Sequence, residues 1–239
     1  MGRLVLVRHA QASFLQQNYD KLSELGETQA RLLGEYWVRR NTQFDRACSG
    51  ACVRQKDTAR IVGDAYRKAG LDFPALTVLG EFDEYSGDAV LQHALPSLLE
   101  RDPRIRGLHR AFEDSKDSVE RFRTFQKMFE AVIGMWVNGE VLLDSVESWN
   151  AFCARVHRGL SAFLSAGHPG ERLAIFTSGG PVSIAVQRAL DLSPQNTLRV
   201  SWMAQNCSYS EFLFSNGRFT LSTFNSFPHL DDPSLQTYR

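Results

Sequence analysis

The sequence predicts an α/β fold: a three-layer sandwich with a mainly parallel central sheet, helices on both faces, and an inserted helical cap at about 88–145. Three observations carry this reading. Short apolar runs alternate with helical stretches over most of the chain. The runs LVLV (4–7) and LAIF (173–176) are apolar without interruption, as in strands buried on both faces. Residues 88–145 break the alternation and carry helical pattern alone. One core is expected, because 239 residues that are 43% hydrophobic are enough for one substantial domain with an insertion, read as spanning 1–239.

Each element has its own justification. Residues 3–7 are strand-like and 8–22 form a loop. From Ser23, SELGETQARLLGEYWVRR has a capping residue followed by apolar residues at helical spacing. FDRACSG is a short strand ending in glycine, and VRQKDTARIVGDAYRKAG is a helix stopped by Gly70. ALTVLGEF is strand-like. Helical stretches at about 89–100 and 117–136 flank a charged loop containing Pro103 and Gly107. SVESWNAFCARVHRGLSAFLSAG is a long amphipathic helix ending at Gly167, RLAIFTS a buried strand, and PVSIAVQRAL a helix with proline in its first turn. CSYSEFLFSNGRFTLSTFN reads as a hairpin turning at Asn216-Gly217.

Bulk properties narrow the function. Lys+Arg and Asp+Glu balance at 27 each, so no global field draws the protein to nucleic acid or to an anionic membrane. Only MGR precedes the first apolar run, too little for a signal peptide, and a cytoplasmic location is expected. Four cysteines lack zinc-like spacing and read as free thiols in a reducing compartment.

In parallel sheets ligands sit beyond the carboxyl ends of the strands. Arg8-His9, Ser49-Gly50, Glu81 and Ser178-Gly179 all fall just past predicted strand ends. Arg8 and Arg54 offer forked cationic donors suited to phosphate oxygens. A neutral His9 imidazole can attack phosphorus, and nearby arginines would hold its pKa down. Glu81 can protonate a leaving alcohol, with Glu84 or Asp83 as alternatives. No cofactor or metal is required, because the guanidiniums can neutralise phosphoryl charge. Each residue alone has an ordinary structural reading, as a strand-end polar group, a solvated helix arginine or a surface carboxylate. It is their order along successive strand ends that favours chemistry.

These residues resemble the signatures of the histidine phosphatase superfamily, the phosphoglycerate mutase-like proteins. LVLVRHAQ is similar to the family's strand followed by Arg-His-Gly, with Ala10 where glycine is usual, and LSELGETQA (22–30) to the segment that follows. SGACVRQKDTA resembles Ser-x-Leu-x-Arg-Ala-x-Gln-Thr-Ala. It keeps Arg54, Thr58 and Ala59 but lacks the leucine and the alanine after the arginine. LGEF matches the context of the family's acid, and FNSFPHL its C-terminus. The resemblance implies catalytic roles for His9 and Glu81, and phosphate-binding roles for Arg8 and Arg54. It also implies an α/β sandwich with a helical cap.

One departure stands out. Where the family carries a second histidine, in a Ser/Thr-His-Gly context, this chain reads TSGG, with Ser178 in that place. Serine retains one donor, and Gly179 and Gly180 at a helix start can offer backbone N–H groups to an anion. Losing one preorganised donor costs about a hundred- to a thousandfold in rate. The expected function is therefore a metal-independent phosphomonoester hydrolase acting through phosphohistidine on His9 and weakened by Ser178. The alternatives are a non-catalytic phospho-ligand binder and, third, a phosphomutase. A large rise in hydrolysis on Ser178→His would support a weakened phosphatase site, and no change would place Ser178 away from the phosphoryl group. His229 is the remaining candidate for a second histidine, with surface packing as its ordinary reading. The expected partner is a small phosphorylated metabolite or phosphopeptide, with no nucleic acid and no membrane, and with homodimer formation left open. Arginines in RDPRIRGLHR and RFRTF read either as a basic mouth for a polyanion or as a solvated helix face.

Overall fold

The computed structural model describes residues 1–13, 20–165, 170–215 and 217–238. Its strands are β1 (Gly2–Arg8), β2 (Arg46–Ser49), β3 (Leu76–Val78), β4 (Arg172–Thr177), β5 (Tyr209–Ser215) and β6 (Arg218–Ser226). They form one six-stranded sheet in the order β3-β2-β4-β1-β5-β6. β3, β2, β4 and β1 run parallel, and β5 and β6 continue the sheet antiparallel on the β1 side. The helices are α1 (Glu24–Arg39), α2 (Val53–Lys68), α3 (Gly87–Arg101), α4 (Pro103–Asp114), α5 (Ser118–Val137), α6 (Trp149–Ser165), α7 (Gly179–Leu190) and α8 (Pro194–Met203). No helix among the described residues is long and apolar enough to cross a membrane.

The chain divides into two compact units. One comprises Met1–Glu84 with Arg155–Arg239, and the other Tyr85–Ala154. In the first, Val5, Val7, Ala47, Ala174 and Phe176 turn one sheet face toward α1 and α2, where they meet Leu33, Trp37, Val62 and Tyr66. Trp37 lies edge-on to Phe44 at 4.9 Å, the aromatic geometry that ring quadrupoles favour. Leu4, Leu6, Leu173 and Ile175 are also fully buried, so β1 and β4 are covered on both faces.

Glycines set how closely helices approach the sheet loops. Ser23 caps α1 by accepting from the Gly26 N–H at 3.0 Å. A Cβ on Gly26 would lie 2.1 Å from the Gln11 carbonyl oxygen, two residues after His9. Gly26→Ala should therefore destabilise the protein by about 2 kcal/mol through overpacking. That is a Tm fall of roughly 4–8 °C for a chain of this size, read by thermal unfolding. An unchanged Tm would mean that the segment yields freely.

The second unit holds α3, α4, α5 and the first turn of α6. Trp136 and Trp149 meet edge-on at 5.6 Å, and Tyr85 lies against Phe152 at 5.4 Å. The charged stretch expected as a loop is helical. Asp102 accepts from the N–H groups of Arg104 (2.8 Å) and Ile105 (3.2 Å), and Pro103 occupies the first turn, where its missing N–H costs nothing. Three arginines of this unit bond within it. Arg106 donates to the Leu99 and Glu100 carbonyls, and Arg101 to the Glu140 carbonyl. Arg121 lies over the Phe112 ring at 4.2 Å.

α7 begins at Gly179 with Pro181 in its first turn, as expected, while α8 is an additional helix capped by Ser193 with Pro194 at its start. Gly217 has φ +80, as a tight hairpin turn requires. Asn216, His168 and the expected helix end at Gly167 lie outside the described residues.

Candidate active site

Parallel pairing brings four strand ends to one edge. Arg8 of β1 lies in register with Thr177 of β4, and Ser49 of β2 with Phe176 of β4 and Val78 of β3. Backbone bonds continue the alignment past the strands. His9 N–H donates to Thr177 O (2.7 Å), Gly50 N–H to Phe176 O (3.1 Å), and Cys207 N–H to His9 O (3.1 Å). The loops that follow β1, β2, β3 and β4 therefore leave the sheet side by side.

His9 sits in this row, only 6% exposed. Its Nδ1 is 2.7 Å from the Ala10 carbonyl oxygen. A carbonyl can only accept, so Nδ1 carries the ring proton and Nε2 keeps its lone pair. Arg54 Nε–H donates to that Nε2 at 3.2 Å. Burial, then the charges of Arg54 and Arg8, hold the His9 pKa well below its ordinary value, against a smaller opposing effect of the Ala10 bond. Sequence reasoning named only the arginines; desolvation is the larger cause. The ring is neutral at physiological pH.

Arg54 comes from the first turn of α2. Thr58 ties that helix to the histidine segment, accepting from Ala10 N–H (3.0 Å) while donating to Arg54 O (2.7 Å). Asp20, which sequence reasoning did not single out, completes the arrangement. Its carboxylate pairs with Arg54 Nη1 at 2.8 Å and accepts from Val53 N–H at 2.8 Å, capping a helix whose N-cap side chain, Cys52, makes no capping bond. Arg8 donates to the Ala204 carbonyl and runs beside Gly179, where a Cβ would lie 3.9 Å from Arg8 Nε.

Ser178, one residue past β4, is 1% exposed and accepts from Gln55 Nε2 at 2.8 Å. Gln55 also donates to the Phe82 carbonyl at 3.3 Å. Gly180 N–H, one of the amides expected to meet an anion, donates to Glu84 Oε2 at 2.9 Å. Arg155 clasps the loop that bears this carboxylate, donating to the carbonyls of Gly80 (3.0 Å), Glu81 (3.1 Å) and Asp83 (3.1 Å). The stem of Glu81 lies against Gly159 of α6, and its charge bears on the buried Cys48 thiol.

His9, Arg54, Arg8 and Gly179 thus form one row, with Ser178 and Glu84 adjoining it. Glu81 is turned toward α6. His229 is 5% exposed, so it does not pack at a surface edge. It lies beside Tyr36 and Tyr209, and burial lowers its pKa to about 4. The cysteines are free, and no cluster of three or more His, Cys, Asp or Glu among the described residues is arranged to hold a metal. Asp20 and Gln55 were invisible beforehand because their partners lie 34 and 123 residues away.

Comparison with curated protein sequences gives no match. Among solved structures, the chain is similar to the alpha-ribazole phosphatase from Shigella flexneri, with TM-score 0.63 and 19% identity, covering 94% of this chain and 96% of that one. It is similar to a phosphoserine phosphatase from Entamoeba histolytica, with TM-score 0.62 and 16% identity over 96% and 100%. It is also similar to the mycobacterial glucosyl-3-phosphoglycerate phosphatase Rv2419c, with TM-score 0.58 and 22% identity over 94% and 98%. At these identities the likeness establishes the shared fold. Residues 4–226 match the model of the histidine phosphatase superfamily (branch 1). Because that match runs from the first strand to the last, the chain belongs to the histidine phosphatase superfamily.

Proposed function

We propose that the protein is a metal-independent phosphomonoester hydrolase in which His9 is the nucleophile. The observation that carries this reading is the fixed tautomer of His9, with Nδ1–H held by Ala10 O and the Nε2 lone pair toward Arg54. The Nε2 lone pair forms an N–P bond as the P–O ester bond breaks. The ester oxygen leaves with the bonding electrons and takes a proton from a carboxyl of the loop after β3. Water then attacks phosphorus and returns a proton to that carboxylate, and the N–P bond breaks to release inorganic phosphate and neutral His9. Arg8 and Arg54 neutralise the phosphoryl oxygens. Of the two glutamates, Glu84 has a carboxylate bonded at the α7 N-terminus, beside Ser178, which favours it over Glu81 as proton donor.

The substrate class is a small phosphorylated metabolite or phosphopeptide. The test is turnover of a broad panel of phosphate esters from acid to neutral pH, with and without chelator. Turnover that chelator leaves unchanged is expected; no turnover on any ester would sink the catalytic reading. A second reading, phospho-ligand binding without chemistry, is favoured by Ser178 in the second-histidine position, bonded to Gln55 and buried. It requires binding that Arg8→Ala removes, and multiple turnovers would exclude it.

A further inference from the structure

We propose that Gln55 is a positioning residue, which with Gly50 and Ser178 forms a hydrogen-bonded unit replacing the family's second histidine. This rests on the phosphatase reading above. Two departures from the family motifs, Gln55 and Ser178, are separated in sequence and meet in space, with Gly50 beside them. Gln55 stands where the motif has alanine, immediately after Arg54, and is 0% exposed. Its Nε2 donates to Ser178 Oγ at 2.8 Å and to Phe82 O at 3.3 Å. Its other amide atom, Oε1, lies over Gly50, where any Cβ would be 2.0 Å away. A side chain at position 50 or a small one at position 55 would each dismantle the arrangement, so the glycine makes room for the amide and the amide reaches the serine.

The chemistry follows from counting donors. A serine hydroxyl has one proton and two lone pairs. Ser178 Oγ spends a lone pair on Gln55, and among the described residues this is its hydrogen bond. The hydroxyl proton therefore remains to be donated. Gln55 fixes the oxygen and polarises the O–H, and the phosphoryl oxygen of a bound ester beside His9 is the acceptor it suits. A short neutral side chain thereby does, with a held partner, what an imidazole does by its length. Gln55 Oε1 is a buried acceptor without a partner, a cost that a fold does not ordinarily keep without use.

The same geometry revises the simple expectation for Ser178→His. The amide of Gln55 fills the space an imidazole at 178 would need, so the single change should clash, whereas Gln55→Ala with Ser178→His should fit.

The test uses the full chain as wild type, Gln55→Ala, Ser178→His and the double variant, with His9→Ala as the control for background. Hydrolysis of para-nitrophenyl phosphate and affinities for orthovanadate and inorganic phosphate are measured on each. Orthovanadate mimics the pentacoordinate transition state, so a donor that acts there weakens vanadate more than phosphate. Gln55→Ala is expected to lower kcat at least about tenfold with KM little changed, and to weaken vanadate by a similar factor with phosphate within about threefold. Ser178→His alone should fall below wild type, and the double variant should recover wild-type turnover or exceed it. Equal vanadate affinity in wild type and Gln55→Ala, or a Ser178→His variant as active as the double, overturns the proposal. Wild-type turnover no faster than His9→Ala would refute the hydrolase reading, and the vanadate comparison then decides the role of Gln55 separately. Melting curves on all five proteins identify a variant that has failed to fold. Should Gln55→Ala unfold, Gln55→Met, which keeps the volume without the donor, is held to the same outcomes.

Discussion

Replacing His9 with alanine is expected to reduce phosphate-ester turnover by at least about a thousandfold, because on the proposed mechanism the variant lacks the atom that forms the covalent bond. Binding should survive: Arg8 and Arg54 stay, and Arg54 retains its pairing with Asp20. Phosphate affinity within severalfold of wild type, beside lost turnover, separates chemistry from recognition. A second signature concerns the intermediate. Phosphorus bonded to imidazole nitrogen is labile in acid and stable in alkali. Wild-type protein quenched during turnover should carry label of that stability, and the variant none. The substitution removes a buried ring whose Nδ1 bonds only one residue along the chain, so the fold should persist. A variant that keeps a tenth of the activity would assign the nucleophile elsewhere.

Much of the sheet was legible because its strands are apolar on both faces and their loops begin with polar residues. LVLV and LAIF needed no context to be strands, and Arg8-His9 and Ser178-Gly179 followed them at the edge where they sit. Local rules failed where one residue serves two purposes. Pro103 was placed in a loop, yet it starts a helix behind a capping Asp102, and Pro194, left unread, starts another behind Ser193. The sequence signal, an N-cap residue followed by proline, was present. What lay beyond sequence reasoning was partner choice. Asp20 reads as one more loop acid until α2 returns Arg54 and the Val53 amide to it. Glu81 and Glu84 differ by three positions, yet in the loop that Arg155 clasps one lies against α6 and the other at the start of α7. The departures at 55 and 178 look independent in the chain, because nothing in one dimension joins residues 123 positions apart.

Arg54→Met is expected to lower kcat/KM about a hundred- to a thousandfold, since on the proposed mechanism it removes a charged donor from the phosphoryl site while keeping most of the side-chain stem. It should also change the pH profile in a determinate direction. In the wild type, burial and the two arginines hold His9 below its ordinary value of 6.5, so the nucleophile stays neutral well into the acid range. Without Arg54 the burial and Arg8 contributions remain and the Arg54 contribution vanishes. The His9 pKa rises toward 6.5, and the acid limb of kcat/KM moves to higher pH. Stability follows the same group. A depressed folded-state pKa means that the unfolded chain binds a proton below about pH 6.5 while native His9 does not, so wild-type stability falls as pH drops below that value. His229, lowered to about 4, contributes in the same sense between 6.5 and about 4. The His9 share of this acid sensitivity should shrink in Arg54→Met and the His229 share persist. Paired pH–rate and pH–melting series on the two proteins measure both effects. An acid limb that stays in place would show that Arg54 does not set the charge state of His9, even if it holds the phosphate.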